Sequence, residues 1–179
     1  MFGKTVSLQA AWLCIFACTY HNSTFAQHNF AREYQLKAAY IYNFIKFIDW
    51  PSSSQQQRQS TRICVFGSHP FGKYLDNLEA NKAKGKAIEI VHAADESTLS
   101  NCHILYFLKD TPQTEKVLAQ WSSAPVLTVG ENRSFLSNGG IINLVMNANN
   151  IQVHINQRKA RENGFKISGH LLEIATVVY

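Results

Sequence analysis

The chain has 179 residues, 46% of them hydrophobic and 16% charged, with a formal net charge of +5. That apolar share excludes disorder as a description of the whole, and the length suits about one ordinary domain with a sizeable core. One positive unit is Lys4, near the amino terminus; an excess this small, with no basic stripe or interleaved aromatics, argues against a nucleic-acid partner and implies only mild attraction to anionic surfaces.

Residues 1–26 have Lys4 near the start, an apolar run from Ala10 to Phe16, and a polar stretch ending in Thr24-Phe25-Ala26. This is the layout of a secretory signal peptide, with Gln27 as the first mature residue and residues 27–179 forming one exported domain. The apolar run is shorter than the roughly 20 residues a membrane span needs. Ile15-Phe16-Ala17-Cys18 loosely resembles a lipoprotein cleavage site, but bulky Phe16 fits poorly, so a lipid anchor on Cys18 is the lesser reading. Outside the leader stand two cysteines, Cys64 and Cys102. In an oxidising compartment one bridge between them is favoured over the alternative, in which each is a small buried hydrophobe within an apolar strand.

Leu36, Ala39, Tyr40, Phe44 and Phe47 recur at helical spacing, with Ile41, Ile45 and Ile48 as a second stripe. A helix this apolar is buried on more than one side, and Pro51 after Asp49-Trp50 predicts its end near Ile48. PSSSQQQRQST (51–61) reads as a surface loop. Arg62–Gly67, Ala87–His92, Cys102–Leu108 and Val126–Val129 each fit a buried strand, and Phe71–Ala80 and Thr111–Trp121 fit helices between them. Strands alternating with helices predict a mostly parallel sheet with helices on both faces. Asn138-Gly139-Gly140 reads as a turn. Ile141–Met146 and Ile151–Ile155, joined by Asn147–Asn150, predict an antiparallel C-terminal hairpin. Asn156 caps a short helix stopped by Gly164, and Ser168 opens a last helix whose apolar side is Leu171, Leu172, Ile174, Ala175 and Val178.

Chemical motifs are sparse. Gly67-Ser68-His69-Pro70-Phe71-Gly72-Lys73-Tyr74 nearly spells a phosphate-binding loop, but Tyr74 replaces the hydroxyl that would hold magnesium and Pro70 removes a backbone donor. The histidines fall on different elements without metal-ligand spacing, so no metal is expected, although a zinc site built from distant residues such as His103 and His154 stays open. No nucleophile elbow or comparable catalytic motif occurs. Arg158, Lys159, Arg161 and Lys166 read as a solvated helix face.

Six blocks, taken together, resemble the YfiR-like family: Lys37–Pro51; Ile63–Gly67 with Pro70-Phe71-Gly72; Cys102-His103-Ile104-Leu105; Pro125–Gly130; Gly139–Ile142; and Asn156 with Lys166-Ile167-Ser168. They keep their order over nearly the whole of residues 27–179. The resemblance implies a periplasmic α/β domain without catalytic activity or cofactor, often dimeric. Such a domain binds the periplasmic portion of an inner-membrane diguanylate cyclase, holds it inactive, and lowers cyclic di-GMP and biofilm formation until an outer-membrane-associated partner or envelope stress releases it. Cys64 and Cys102 match positions where relatives carry a bridge. A second pair found near the hairpin in some relatives is absent, with Leu144 and Gln152 in that region.

Tyr40, Phe44 and Phe47 are expected in the core rather than in a binding groove. Expected contact residues are Arg158, Lys166 and His170, with exposed Tyr34 or Trp50. The reading from a different class is a periplasmic small-molecule binding module whose pocket lies beyond the carboxyl ends of the strands.

Overall fold

A computed structural model describes residues 22–52, 59–68, 70–148 and 150–178. The expected leader falls largely outside them, as do Cys18 and His69. Residues 22–32 are helical and belong to a separate contact unit, Met1–Arg32; the rest of the fold is built from Glu33–Tyr179. Among the described residues no helix is long and apolar enough to cross a membrane.

Helix α1 is Asn22–Phe47. From Glu33 onward it buries Tyr34, Lys37, Ala38, Ile41, Phe44 and Ile45, while Leu36, Tyr40 and Phe47 are half-buried and Ala39 is exposed. Full burial of side chains such as Ile41 or Phe44 stabilises the fold by about 1.5–3 kcal/mol each. The helix gives way at the expected place to β1 (Ile48–Asp49).

The main sheet has eight strands: β2 (Ser60–Phe66), β3 (Lys82–Ala83), β4 (Lys86–Ala93), β5 (Ile104–Phe107), β6 (Leu127–Gly130), β7 (Ile142–Asn147), β8 (Asn150–Asn156) and β10 (Ala175–Val178). Their order is β10-β8-β7-β6-β5-β2-β4-β3. β2 lies parallel to both β4 and β5, with Ile63 opposite Ile90 on one side and Ile104 on the other. β6 and β7 continue the parallel run, and β8 turns back antiparallel to β7 with Asn147 opposite Asn150, the expected hairpin. A separate two-stranded ladder pairs β1 with β9 (Lys166–Ile167).

Alternation along the strands divides the interior in two. Ile63, Val65, Ile104, Tyr106, Leu127 and Val129 join the core under α1, together with Leu75 of α2 (Lys73–Asp76), Ala160 of α4 (Gln157–Glu162) and Leu171 of α5 (Gly169–Glu173). Cys64, Phe66, Leu105 and Phe107 point the other way, into a core closed by Val117 and Leu118 of α3 (Thr114–Gln120). Helices therefore cover both faces, as the run of doubly buried strands requires. Cys64 and Cys102 are bonded in the α3-side core, their Cα atoms 5.8 Å apart. Phe135 fills that core too, and a Cβ at Gly130 or Gly140 would collide with its ring, which explains both glycines.

The last helix is a correction. It runs only over α5, capped by Ser168, whose side chain accepts from the Leu171 N–H; Ala175–Val178 then forms β10, parallel to β8 with Val177 opposite Ile155. The β-branched run Thr176-Val177-Val178 suits the open edge of β8 better than a helix. Phe71–Ala80 also breaks up, into α2 and a 3₁₀ turn over Asn77–Ala80, and Thr111–Trp121 shortens to α3.

Candidate functional site

A buried ionic cluster sits at the carboxyl ends of β5 and β6. Lys37 lies on the apolar face of α1 with its side chain 2% exposed, one turn after Glu33 and Tyr34. Its ammonium donates to Glu33 Oε1 and lies 3.0 Å from Oε2 of Glu131, whose own side chain is 4% exposed. Glu131 directly follows β6. Its carboxylate also accepts the hydroxyl of Tyr106 at 2.6 Å and that of Tyr34 at 3.2 Å. The Lys37 ammonium stands 4.5 Å from the Tyr34 ring centre, and Phe71 packs edge-on between Tyr34 and Tyr106 at 5.0 and 5.1 Å.

Two carboxylates and one ammonium leave this cluster with an excess negative charge, and the phenols answer it as donors. Burial first, and the Glu131 carboxylate second, push both the Tyr34 and the Tyr106 phenols well above the ordinary tyrosine range. Both stay protonated, so neither offers a nucleophile. Three donors converge on Glu131. The arrangement ties α1 to the carboxyl ends of β5 and β6. On the α3 side an open depression of about 390 Å³ remains among Phe66, Ala94, Pro112 and Gln113, but its acids are engaged: Asp95 caps Ser97, and Glu96 accepts from Lys116 and Gln120.

The expected contact residues separate into three places. Tyr34 is buried in the ionic cluster rather than exposed, because its position is three residues before Lys37 on the inward face of α1. Trp50, Lys166 and His170 gather where β1 meets β9. Asp49 pairs with Lys166 in that ladder, the Ser168 N–H donates to the Phe47 carbonyl at 3.0 Å, and Trp50 packs edge-on against Phe165. The His170 ring is 5.5 Å from that of Phe47, and Lys46 lies over Phe47 and Tyr42. Ile174, 58% exposed, follows His170 by one helical turn. The result is a mixed apolar and charged surface of Lys46, Phe47, Lys166, His170 and Ile174, in which the Glu173 carboxylate lies 3.8 Å from His170 Nδ1 and Asp49 stands opposite Lys166. Arg158 is exposed on α4, the helix ahead of β9. Trp50 is half-buried.

Glu33, Lys37, Tyr106 and Glu131 carry no shared sequence pattern that marks them as a group. The available signal was Lys37 itself, a lone charge in step with Tyr34, Ile41 and Phe44 on an otherwise apolar helical face. Among the described residues no group of three or more His, Cys, Asp or Glu side chains is placed to hold a metal ion.

Taken together, the eight-stranded order, the helices on both faces and the terminal hairpin define a mixed α/β domain with a mostly parallel sheet. The chain belongs to the YfiR/HmsC-like family, whose model matches residues 34–176 and takes in all six sequence blocks. Among solved structures, the ABC domain from Streptococcus pneumonia, in complex with L-Trp, is similar over 66% of this chain at 15% identity, with a TM-score of 0.49. The match covers 55% of that protein, so this chain spans little more than half its length.

Proposed function

We propose that this protein is a periplasmic regulator that works by contact, binding the periplasmic portion of an inner-membrane diguanylate cyclase and holding it inactive. The observation that carries this reading is the family match across nearly all of Glu33–Tyr179. Two features support export: the leader-like residues 1–26 and the Cys64–Cys102 bridge, which suits an oxidising compartment. The surface around Lys46, Phe47, Lys166, His170 and Ile174 supports contact recognition, since an apolar centre with charged neighbours suits a protein partner. Repression then follows from differential affinity: moving a cyclase from 99% active to 99% inactive takes about 10⁴-fold tighter binding to the inactive form. An outer-membrane-associated protein that captures this chain, and a homodimer, belong to the same reading.

The test is deletion of the gene in a host whose cyclase is intact, with cyclic di-GMP and biofilm measured. Both should rise, and restoring the chain should lower them. Lys166→Glu combined with His170→Asp should weaken capture of the cyclase's periplasmic fragment at least tenfold while leaving the thermal midpoint unchanged. An unchanged cyclic di-GMP level on deletion sinks the proposal.

A further inference from the structure

The main sheet ends differently on its two sides. One edge is β3, two residues long, with Lys82 exposed and Lys84 and Lys86 following in the same hairpin. Brevity and lysine are the devices that keep a sheet edge from pairing with another chain. The other edge is β10, which among the described residues pairs with β8 alone. It carries no charge and no proline, its Thr176-Val177-Val178 run is β-branched, and Ile174 just before it is 58% exposed. Its outward N–H and C=O groups are a template for one more strand.

Alternation fixes what can be added there. Val177 stands opposite Ile155, whose side chain joins the core under α1, while Thr176 stands opposite His154, turned to the other face and exposed. An added strand has to be uncharged, apolar on the first side and tolerant of water on the second. β10 itself meets that description. Two copies related by a two-fold axis perpendicular to the sheet run antiparallel and keep each face on its own side. Each residue then opposes one of the same face, so the pairing is centred on Thr176 or on Val177, never between them.

Charge argues for the same occupant. Glu173, its side chain 77% exposed, precedes β10 by two residues. At the far end Val178 stands opposite Asn156, and exposed Arg158 follows Asn156 by two residues at the start of α4. That helix carries Arg158, Lys159 and Arg161 against one acid, Glu162. Antiparallel pairing sets the start of one β10 beside the end of the other, so the Glu173 end of each copy meets the arginine end of its mate, twice over.

We propose that the open edge of β10 pairs antiparallel with β10 of a second copy, joining the two sheets into one. This gives a surface to the homodimer within the reading above and rests on that part of it, while the cyclase contact is a separate claim.

The test is sedimentation velocity on the full chain alone, comparing the wild type with Thr176→Lys, Thr176→Glu, an equimolar mixture of the two, and Lys82→Glu at the opposite edge. The wild type should dimerise at about 0.1 mM or below. Each Thr176 variant sets like charges directly opposite in one register and diagonally in the other, and should dimerise about tenfold more weakly. The mixture should recover the dimer, and Lys82→Glu should match the wild type, with thermal midpoints confirming that every variant is folded. A wild type that stays monomeric, a Thr176→Lys protein as dimeric as the wild type, or a mixture no more dimeric than its components would each overturn the proposal. Because the chain is measured without the cyclase, none of these results alters the outcome of the deletion test.

Discussion

Replacing Lys37 with methionine keeps most of the side chain's length and removes its charge. Glu131 would then sit 4% exposed with no cation beside it among the described residues, while Glu33, 22% exposed, could turn toward water. Removing one partner of a buried pair costs about 3–5 kcal/mol, because the remaining charge stays buried and uncompensated. For a chain of this size each kcal/mol moves the melting temperature by about 2–4 °C, so Lys37→Met should melt about 6–20 °C lower. The double variant Lys37→Met/Glu131→Gln removes both charges and leaves the amide able to accept the tyrosine hydroxyls. It should recover at least half of the loss. Circular dichroism melts and urea titrations at pH 7 read both quantities. A single variant within about 1 kcal/mol of the wild type, or a double variant no better than the single, would show that the cluster is not the tie described above.

Tyr106→Phe deletes a hydroxyl bonded to a carboxylate and should cost about 1.5–3 kcal/mol at pH 7. Because the folded-state values of Tyr34 and Tyr106 are raised, the stability they lend is complete below the unfolded tyrosine value near 10 and is lost as pH climbs beyond it. Urea midpoints between pH 9 and 11 should therefore fall less steeply in Tyr106→Phe than in the wild type. Reducing Cys64–Cys102, or replacing both with serine, reopens a 38-residue separation and should cost about 3–4 kcal/mol on the chain-entropy model, measured as a urea midpoint shift. Gly140→Ala, whose Cβ would meet the Phe135 ring and carbonyl, should destabilise by about 1–3 kcal/mol in the same assay.

The parallel strands were legible because a strand buried on both faces has to be apolar throughout: Ile63-Cys64-Val65-Phe66 and Ile104–Phe107 admit little else. The hairpin and the caps at Asn156 and Ser168 were legible because turn and cap chemistry is local. Ala175–Val178 was not, since Leu171, Leu172, Ile174, Ala175 and Val178 also fit a helical face, and only the vacant edge of β8 decides between the two. Two-residue ladders such as β1 with β9 carry no periodic signal at all. The ionic cluster depends on bringing Glu131 to within 3.0 Å of a lysine 94 positions earlier. No local pattern encodes such a meeting. Trp50, Lys166 and His170 are legible in the sequence only one by one, and their gathering follows from the β1–β9 pairing.

Strand alternation separates the cystine from the β1–β9 surface. The cystine lies in the layer beneath α3, whereas Phe47, Trp50 and Ile167 rest on the layer beneath α1. Thiol chemistry on one side must therefore be transmitted through the thickness of the sheet to be felt on the other. Neighbouring residues such as Cys64 and Val65 therefore face different layers, one step apart in the chain and a sheet's thickness apart in their surroundings.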